Sequence, residues 1–421
     1  MTLPRWEVPE TWEWTQANEV ADIVGGGTPS TKNEINFAEP GSGVPWIGPA
    51  DLTGYRKAYI GCGRRDLSEK GLSASGATMM PKGAVLFSSR APIGYCAIAA
   101  NEICTNQGFK SWVCASGIIP EYVRYYLLSS VEYADSLASG TTFREVSGKR
   151  VGAMAFPVAP EAEQRRIVAK LDALTTRLAR ARGELDRVMV LAERLRGPVV
   201  SDQIDTLMKR AGSTAPARDL FVWSSGKFLP KKSQRGGEVP VYGGNGVNGW
   251  HDEANVQGRT LVVGRVGAHC GNVHLSDGAA WITDNAIYAK RVSPDVDLDL
   301  ALHVFSNARL VQEAAGTGQP YVNQEVLNRV LLPLETLSRQ IEASQRIREA
   351  LARADRMEAE AARARALLDR LEAAILGRAF RGELVPQDPD DEPASVLLDR
   401  IRAQRAAAPK PKRGRRKKVS A

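Results

Sequence analysis

Two arginines stand at the ends of short apolar runs, each beside glycines. Arg90 lies in Ser88-Ser89-Arg90-Ala91-Pro92-Ile93-Gly94, after Val85-Leu86-Phe87. Arg265 lies in Gly264-Arg265-Val266-Gly267-Ala268-His269-Cys270-Gly271, after Leu261-Val262-Val263. An arginine on a rigid strand end can form a two-pronged bond to guanine or clamp a phosphate. Neighbouring glycines let a ligand approach the backbone closely. The amides of Asn106, Gln107 and Asn285 have the donor–acceptor pair that reads an adenine edge. Lys231, Lys232 and Arg235, with Tyr242 and Asn245, form a basic, glycine-rich set; Lys32, Arg144, Lys149 and Arg150 are its looser counterparts. Ser88, Ser89, His269 and Asn323 complete the candidate nucleic-acid contacts. The plainer alternative is that each arginine satisfies a local carboxylate or carbonyl.

Catalytic signatures fail one by one. A phosphate-binding loop needs a glycine five residues before Gly-Lys-Ser/Thr. Gly226-Lys227 is followed by Phe228, with Phe221 at the glycine position. Gly148-Lys149 is followed by Arg150, with Phe143 there. Gly244-Asn245-Gly246-Val247-Asn248-Gly249 matches a dinucleotide fingerprint but lacks the apolar helix that should follow, so it reads as a turn between strands. There is no Asx-Pro-Pro-aromatic methyltransferase motif and no Gly-x-Ser-x-Gly elbow. His269, Cys270 and His274 cluster without the spacing of a usual zinc site. The expectation is a chain that recognises and does not catalyse, with no metal of its own.

The elements that must hold these residues come as a repeat. With 421 residues, 43% hydrophobic and 25% charged, the chain can form two or three domains with proper cores. No apolar run is long enough to span a membrane, and no signal-peptide h-region follows Met1. Five cysteines without a CxxC pair read as buried thiols in a reducing cytoplasm. The net charge is +8, and seven of those charges sit in Lys410, Lys412, Arg413, Arg415, Arg416, Lys417 and Lys418. The body is therefore close to neutral, and any nucleic-acid surface must be a local patch.

Ser139-Gly140-Thr141 precedes Ala315-Gly316-Thr317 by the offset that also relates Val146 to Val322, Pro157 to Pro333 and Gln164 to Gln340. Further upstream the offset drifts: Val44-Pro45 matches Val239-Pro240, Thr105-Asn106-Gln107 matches Thr283-Asp284-Asn285, and Arg90 matches Arg265. Drift of this kind means loop-length change, and loops carry specificity. Trp6, Trp12 and Trp14 predict a packed N-terminal arm. Pro120 to Ser130 predicts a short helix, repeated near Asp299 to Glu313.

After each module comes a heptad seam. The first runs through Ile167, Leu171, Leu174, Leu178, Ala181, Leu185, Val188, Ala192 and Leu195. The second runs through Ile347, Ala350, Ala354, Met357, Ala361, Ala364, Leu368, Leu371 and Ile375. Each seam covers roughly 42 Å of helix. Gly197-Pro198 should stop the first helix, and Gly377 or Gly382 the second. The two seams match in length and each helix leads away from its own module, so the nearest expectation is an intramolecular antiparallel pair, with pairing to another subunit as the alternative. A last short helix spans Ala394 to Gln404, with Val396, Leu397, Leu398 and Ile401 on its apolar face.

This order, with Trp46-Ile47-Gly48-Pro49-Ala50-Asp51-Leu52, Ser88 to Gly94, Pro157-Val158-Ala159-Pro160-Glu161-Ala162-Glu163-Gln164 and the ending Ala379-Phe380-Arg381-Gly382-Glu383-Leu384-Val385-Pro386-Gln387-Asp388-Pro389, resembles the specificity subunit of type I restriction–modification systems. The expected fold is α+β: two tandem mixed α/β target recognition domains separated by two long α-helices in an antiparallel coiled coil. The expected boundaries are 1–158 and 198–334 for the recognition domains, 159–197 and 335–382 for the helices, 383–408 for a C-terminal loop and short helix, and 409–421 for a basic disordered tail. The resemblance implies that each module reads half of a bipartite, asymmetric site in double-stranded DNA. It implies that the helices set the spacing and dock two methyltransferase subunits, which carry S-adenosylmethionine chemistry. ATP-dependent restriction subunits would join with ATP and Mg, leaving no cofactor on this chain. The competing readings are a single-chain DNA methyltransferase with embedded recognition domains and a coiled-coil scaffold without a DNA role.

Overall fold

The computed structural model describes residues 6–140, 144–308, 310 and 321–407. The expected match of 139–141 with 315–317, the end of the second short helix near Glu313 and the basic tail lie wholly or partly outside those residues. The chain divides into two compact units. One holds the residues up to Arg182 together with those from Ala366; the other runs from Gly183 to Arg365.

In the first unit a five-stranded sheet orders its strands as Ala21–Gly25, Lys110–Cys114, Val85–Ser89, Ile93–Ala99 and Tyr59–Ile60. Val85–Ser89 is buried along its whole length, which explains why it reads as a continuous apolar run. Val85 and Phe87 enter a core with Trp112, Tyr122 and Phe156, while Leu86 faces a second core with Ile47 and Phe109. The helix Pro120–Ser129 begins at a proline that needs no donor partner there, and buries Tyr122, Val123, Tyr126 and Leu127. A smaller sheet orders Phe37–Ala38, Asp66–Leu67, Val44–Ile47 and Cys104–Thr105. The N-terminal arm is packed as its tryptophans predict: Trp6 and Trp14 meet edge-on at 5.1 Å, and Trp12 is buried.

The second unit repeats this plan with fewer strands. Phe221–Ser225, Ala286–Val292, Thr260–Gly264 and Val273–Ser276 form one sheet; Gly246–His251, Val239–Gly243 and Trp281–Ile282 form the other. The short helix is Leu298–Asn307. The stretch 244–249 is a hairpin turn and the strand after it, as its missing helix implied.

Each module is closed by a two-stranded clip just before its long helix. Glu13–Gln16 pairs with Ala155–Val158, and Thr214–Pro216 with Leu331–Pro333. A glutamine then locks helix to module in the same way twice. Gln164 Oε1 accepts from Ile119 N at 3.0 Å, and its Nε2 donates to the carbonyls of Gly117 and Ala159. Gln340 Oε1 accepts from Asp297 N at 3.0 Å, and its Nε2 donates to the carbonyls of Asp295 and Glu335. Both glutamines are buried.

The first long helix does not stop at Gly197-Pro198. It runs unbroken over Glu161–Ala211 and ends at Gly212, whose φ of 68° suits a left-handed cap. Pro198 removes one donor, but Arg194, whose carbonyl it leaves free, is exposed, so water can satisfy that group. The second helix spans Leu337–Ala379.

The two helices run antiparallel within each unit. Arg182 donates to Asp369 at 2.6 Å and Glu372 at 2.7 Å in the first unit. Arg196 donates to Asp355 at 2.6 Å and Glu358 at 2.8 Å in the second. Ile167, Leu171, Leu178, Ala192, Ile347, Ala354 and Ala361 are buried, and Leu174, Leu185, Val188, Leu368 and Ile375 half-buried. Leu195, Met357 and Leu371 are instead exposed, so they are not seam residues. A straight helix has 3.6 residues per turn, so a strict 3.5-residue pattern drifts off the contact line by about 20° per heptad. Arg196, Glu358 and Glu372 take the vacated places.

The C-terminal segment is part of the first unit's core. Phe380, Leu397, Leu398 and Ile401 are buried there; Val396 is exposed, off the apolar face expected for it. The closing helix is Ala394–Ala407. Glu163 joins three segments: its carboxylate accepts from Trp12 Nε1 at 2.8 Å and from Gln387 Nε2 at 2.6 Å. Burial raises its pKa, against both hydrogen bonds. Arg166 beside it grips Asp391 with both prongs, at 3.1 and 2.6 Å.

Candidate nucleic-acid interface

In the first module, Pro49, Arg90, Ala91, Pro92, Ile93, Asn106, Val131, Asp135, Arg144 and Glu145 line a groove of about 790 Å³. Arg90 Nη1 lies 3.5 Å from a Glu145 carboxylate oxygen, and Lys110 Nζ lies 3.2 Å from the other. Arg144 pairs with Asp135 at 3.0 Å. Asn106 Oδ1 accepts from Gly108 N at 2.8 Å, an Asx turn that fixes the loop. The exposed Gln107 accepts from Thr28 Oγ1. Gly26 must be glycine here: a Cβ would stand 1.9 Å from the Asn106 carbonyl oxygen.

The groove adjoins a basic loop that motif reading passed over. Asp51 accepts from Gly48 N at 2.7 Å and Arg64 N at 3.0 Å. It thereby ties the turn at Pro49 to Arg64 and Arg65. Arg56, Lys57, Arg64 and Arg65 are all exposed, and the Arg65 guanidinium lies 3.7 Å over the Phe37 ring. The signal was available as four cations within ten residues, but no motif frames it.

Several expected contacts have other duties. Ser88 and Ser89 are fully buried; Ser88 Oγ donates to the Pro92 carbonyl and Ser89 Oγ to that of Gly108. They are scaffold and not surface. Tyr242 is buried in the second module's smaller core, where burial raises the pKa of its hydroxyl. Asn323 caps the helix Gln324–Asn328, accepting from Val326 N at 2.9 Å. Arg235 is held by Asp252 and Glu253 at 3.1 and 2.7 Å, so its charge is already matched. Arg150 donates to the Leu137 carbonyl. Lys32, Lys149, Lys231 and Lys232 are exposed.

The second module presents Asn245, His269 and Asn285 as exposed side chains and Arg265 as half-exposed. Arg265 makes no ion pair among the described residues. Asn245 accepts from Asn272 Nδ2 at 2.9 Å. Phe228 and Trp250 are large exposed aromatics of this module, at 73% and 53%. Cys270 is buried, its thiol pKa raised by burial, and its Sγ donates to the Arg265 carbonyl.

Backbone hydrogen bonds fix which residues of the two modules are equivalent. Val146 N donates to Ser89 O, and Val322 N donates to Arg265 O. Ser89 N donates to Gly108 O, and Arg265 N donates to Asn285 O. Arg90 bridges to Glu145 as Val266 bridges to Tyr321. Arg265 therefore occupies the place of Ser89, and Arg90 that of Val266. The two arginines are not counterparts but neighbours, and successive strand residues point to opposite faces. The amide loops shift likewise: Asn285 stands where Gly108 does. A single-residue register error is invisible in short apolar runs, because apolar positions stay apolar after the slip. The match of Val44-Pro45 with Val239-Pro240 holds, since Ile47 pairs with Thr105 as Tyr242 pairs with Ile282.

The sequence profile of the type I restriction modification DNA specificity domain matches residues 9–188. The type I restriction enzyme MjaIX specificity subunit of Methanocaldococcus jannaschii is 36% identical over 168 residues, 39% of this chain and 38% of that one. The match thus spans well under half of that relative. The EcoprrI specificity subunit of Escherichia coli is 24% identical over 355 residues, covering 78% of this chain and 85% of the relative. A chain from a solved type I R-M system superposes with a TM-score of 0.71 at 19% identity, over 90% of this chain and 100% of the other, which supports the fold. The chain is thus similar to type I restriction–modification specificity subunits, through a matched specificity domain over residues 9–188 and a weaker likeness over most of its length. No helix among its described residues is long and apolar enough to cross a membrane.

Proposed function

We propose that this chain is the part of a type I complex that chooses the DNA sequence. Each module contacts one half of a bipartite, asymmetric duplex site. The observation that carries this reading is the duplication itself: scaffold hydrogen bonds repeat, while the polar side chains at equivalent strand ends differ. Identical scaffolds with different surface groups are what two unlike half-sites require. In the first module the groove beside Arg90 offers base-reading groups, and Arg56, Lys57, Arg64 and Arg65 offer phosphate contacts. In the second, Arg265, Asn245, His269 and Asn285 are the base-reading candidates, with Lys231 and Lys232 toward phosphates.

The paired helices set the half-site spacing and bind two methyltransferase subunits. Each unit offers exposed apolar helix residues for that, Leu367 and Leu371 in the first and Leu191 and Leu195 in the second. S-adenosylmethionine chemistry belongs to those partners, and ATP with Mg to restriction subunits, all in the cytoplasm. The test is to map methylated adenines in the host genome with and without this gene. The expected result is one split, asymmetric motif that vanishes on deletion. A methylation map unchanged by deletion would remove the reading. Methyl transfer by this chain alone would favour a single-chain methyltransferase.

A further inference from the structure

The equivalences between modules single out three positions. In the first module they hold Arg90, Lys110 and Glu145. In the second they hold Val266, Ile287 and Tyr321, since Gly108 matches Asn285 and the next residue but one follows on the same strand. A charged triad on one copy of the scaffold is thus uncharged on the other. The backbone around it is the same: Val146 N donates to Ser89 O at 3.0 Å, and Val322 N to Arg265 O at 2.9 Å. Folding therefore does not need the charges at these places, because Val266, Ile287 and Tyr321 serve the same backbone bonds without them.

The geometry adds a second argument. Glu145 bridges Arg90 and Lys110 with separate oxygens, and all three side chains keep some exposure, at 37%, 35% and 15%. The other acids nearby are spent: Asp135 on Arg144, and Asp51 on Gly48 and Arg64. A carboxylate shared by two cations at the mouth of a groove weakens their pull on phosphate. It also fixes the direction of Arg90 and leaves oxygens that can accept from a cytosine or adenine amino group. Two cations without it would form a sequence-blind phosphate clamp.

We infer that Glu145 is a specificity-determining residue of the first module, positioning Arg90 and Lys110 for base edges and barring them from nonspecific phosphate binding. The inference rests on the DNA-reading function proposed above. Its test uses the full-length chain in complex with its modification subunits, and a pool of synthetic duplexes with randomised base pairs as probe. The wild-type complex selects a split motif; Glu145→Gln loses preference at one or two base pairs of one half-site, from about tenfold or more to below about threefold. The other half-site is unchanged, affinity for unrelated duplex rises several-fold, and the melting temperature stays within about two degrees. Glu145→Asp keeps the preference, and Arg90→Val, which installs the second module's residue, loses it in the same half-site. If the wild type selects a motif and Glu145→Gln selects the same one, the inference falls while the DNA-reading function stands. If Glu145→Gln weakens both half-sites together or melts early, Glu145 is structural and the inference is overturned. A wild-type complex that selects no split motif overturns both.

Discussion

Arg265 and Arg235 show how context separates two residues of one type. Arg235 is matched by two carboxylates, whereas Arg265 sits half-exposed at a strand end without an ion pair among the described residues. Arg265→Ala is expected to cost about 1–3 kcal/mol of binding and to relax one half-site only. Arg235→Ala should change sequence preference little. Competition binding with duplexes altered in one half at a time distinguishes them. Gln164 works at the same scale but on stability. Gln164→Ala leaves a donor at Ile119 and acceptors at Gly117 and Ala159 without partners, two of these bonds being partly buried and one buried. The expected loss is about 1–3 kcal/mol, seen as a lower melting temperature, and Gln340→Ala should do the same in the second unit.

At the scale of elements, ionic and apolar contacts divide the work of the helices. Each helix is apolar where it meets a module, as at Ile167, Leu171 and Ile347. Elsewhere arginines reach across to carboxylates. Asp299 makes such a junction in the second unit, between the short helix, the loop at Arg259 and the long helix at Arg348. The hydrogen bonds from Arg259 hold its carboxyl below the ordinary value of 3.8, with burial opposing and the charge of Arg348 assisting. A lowered folded-state pKa contributes stability that is present above 3.8 and is lost as pH falls through the lowered value. Acid should therefore destabilise wild type more than Asp299→Asn as the pH falls below 3.8 and on through the lowered value. Parallel pH–melting curves that keep a constant gap would contradict this.

For the whole molecule, the distinguishing prediction concerns spacing. Removing one heptad from each long helix, between Arg182 and Arg196 and between Glu358 and Asp369, keeps the flanking ion pairs in register. It shortens the helices by roughly 10 Å, about three base pairs of duplex. The methylated motif should keep both half-sites and lose spacer length. A motif with altered half-site bases and unchanged spacer would assign spacing to something other than the helices.

Much of this was legible in the residues themselves. The duplication, both long helices and the packed tryptophan arm follow from local chemistry: periodicity and paired motifs. What the chain alone left open depends on contacts between distant residues. Whether Pro198 ends a helix depends on whether water reaches the Arg194 carbonyl. Which face of a helix is the seam depends on a drift that accumulates over several turns, so Leu371 gave way to Glu372. Which arginine matches which depends on a backbone register that apolar runs do not encode. The Arg90–Lys110–Glu145 triad belongs wholly to the tertiary structure, since its members lie far apart in sequence and meet only because three chain segments share one end of a sheet.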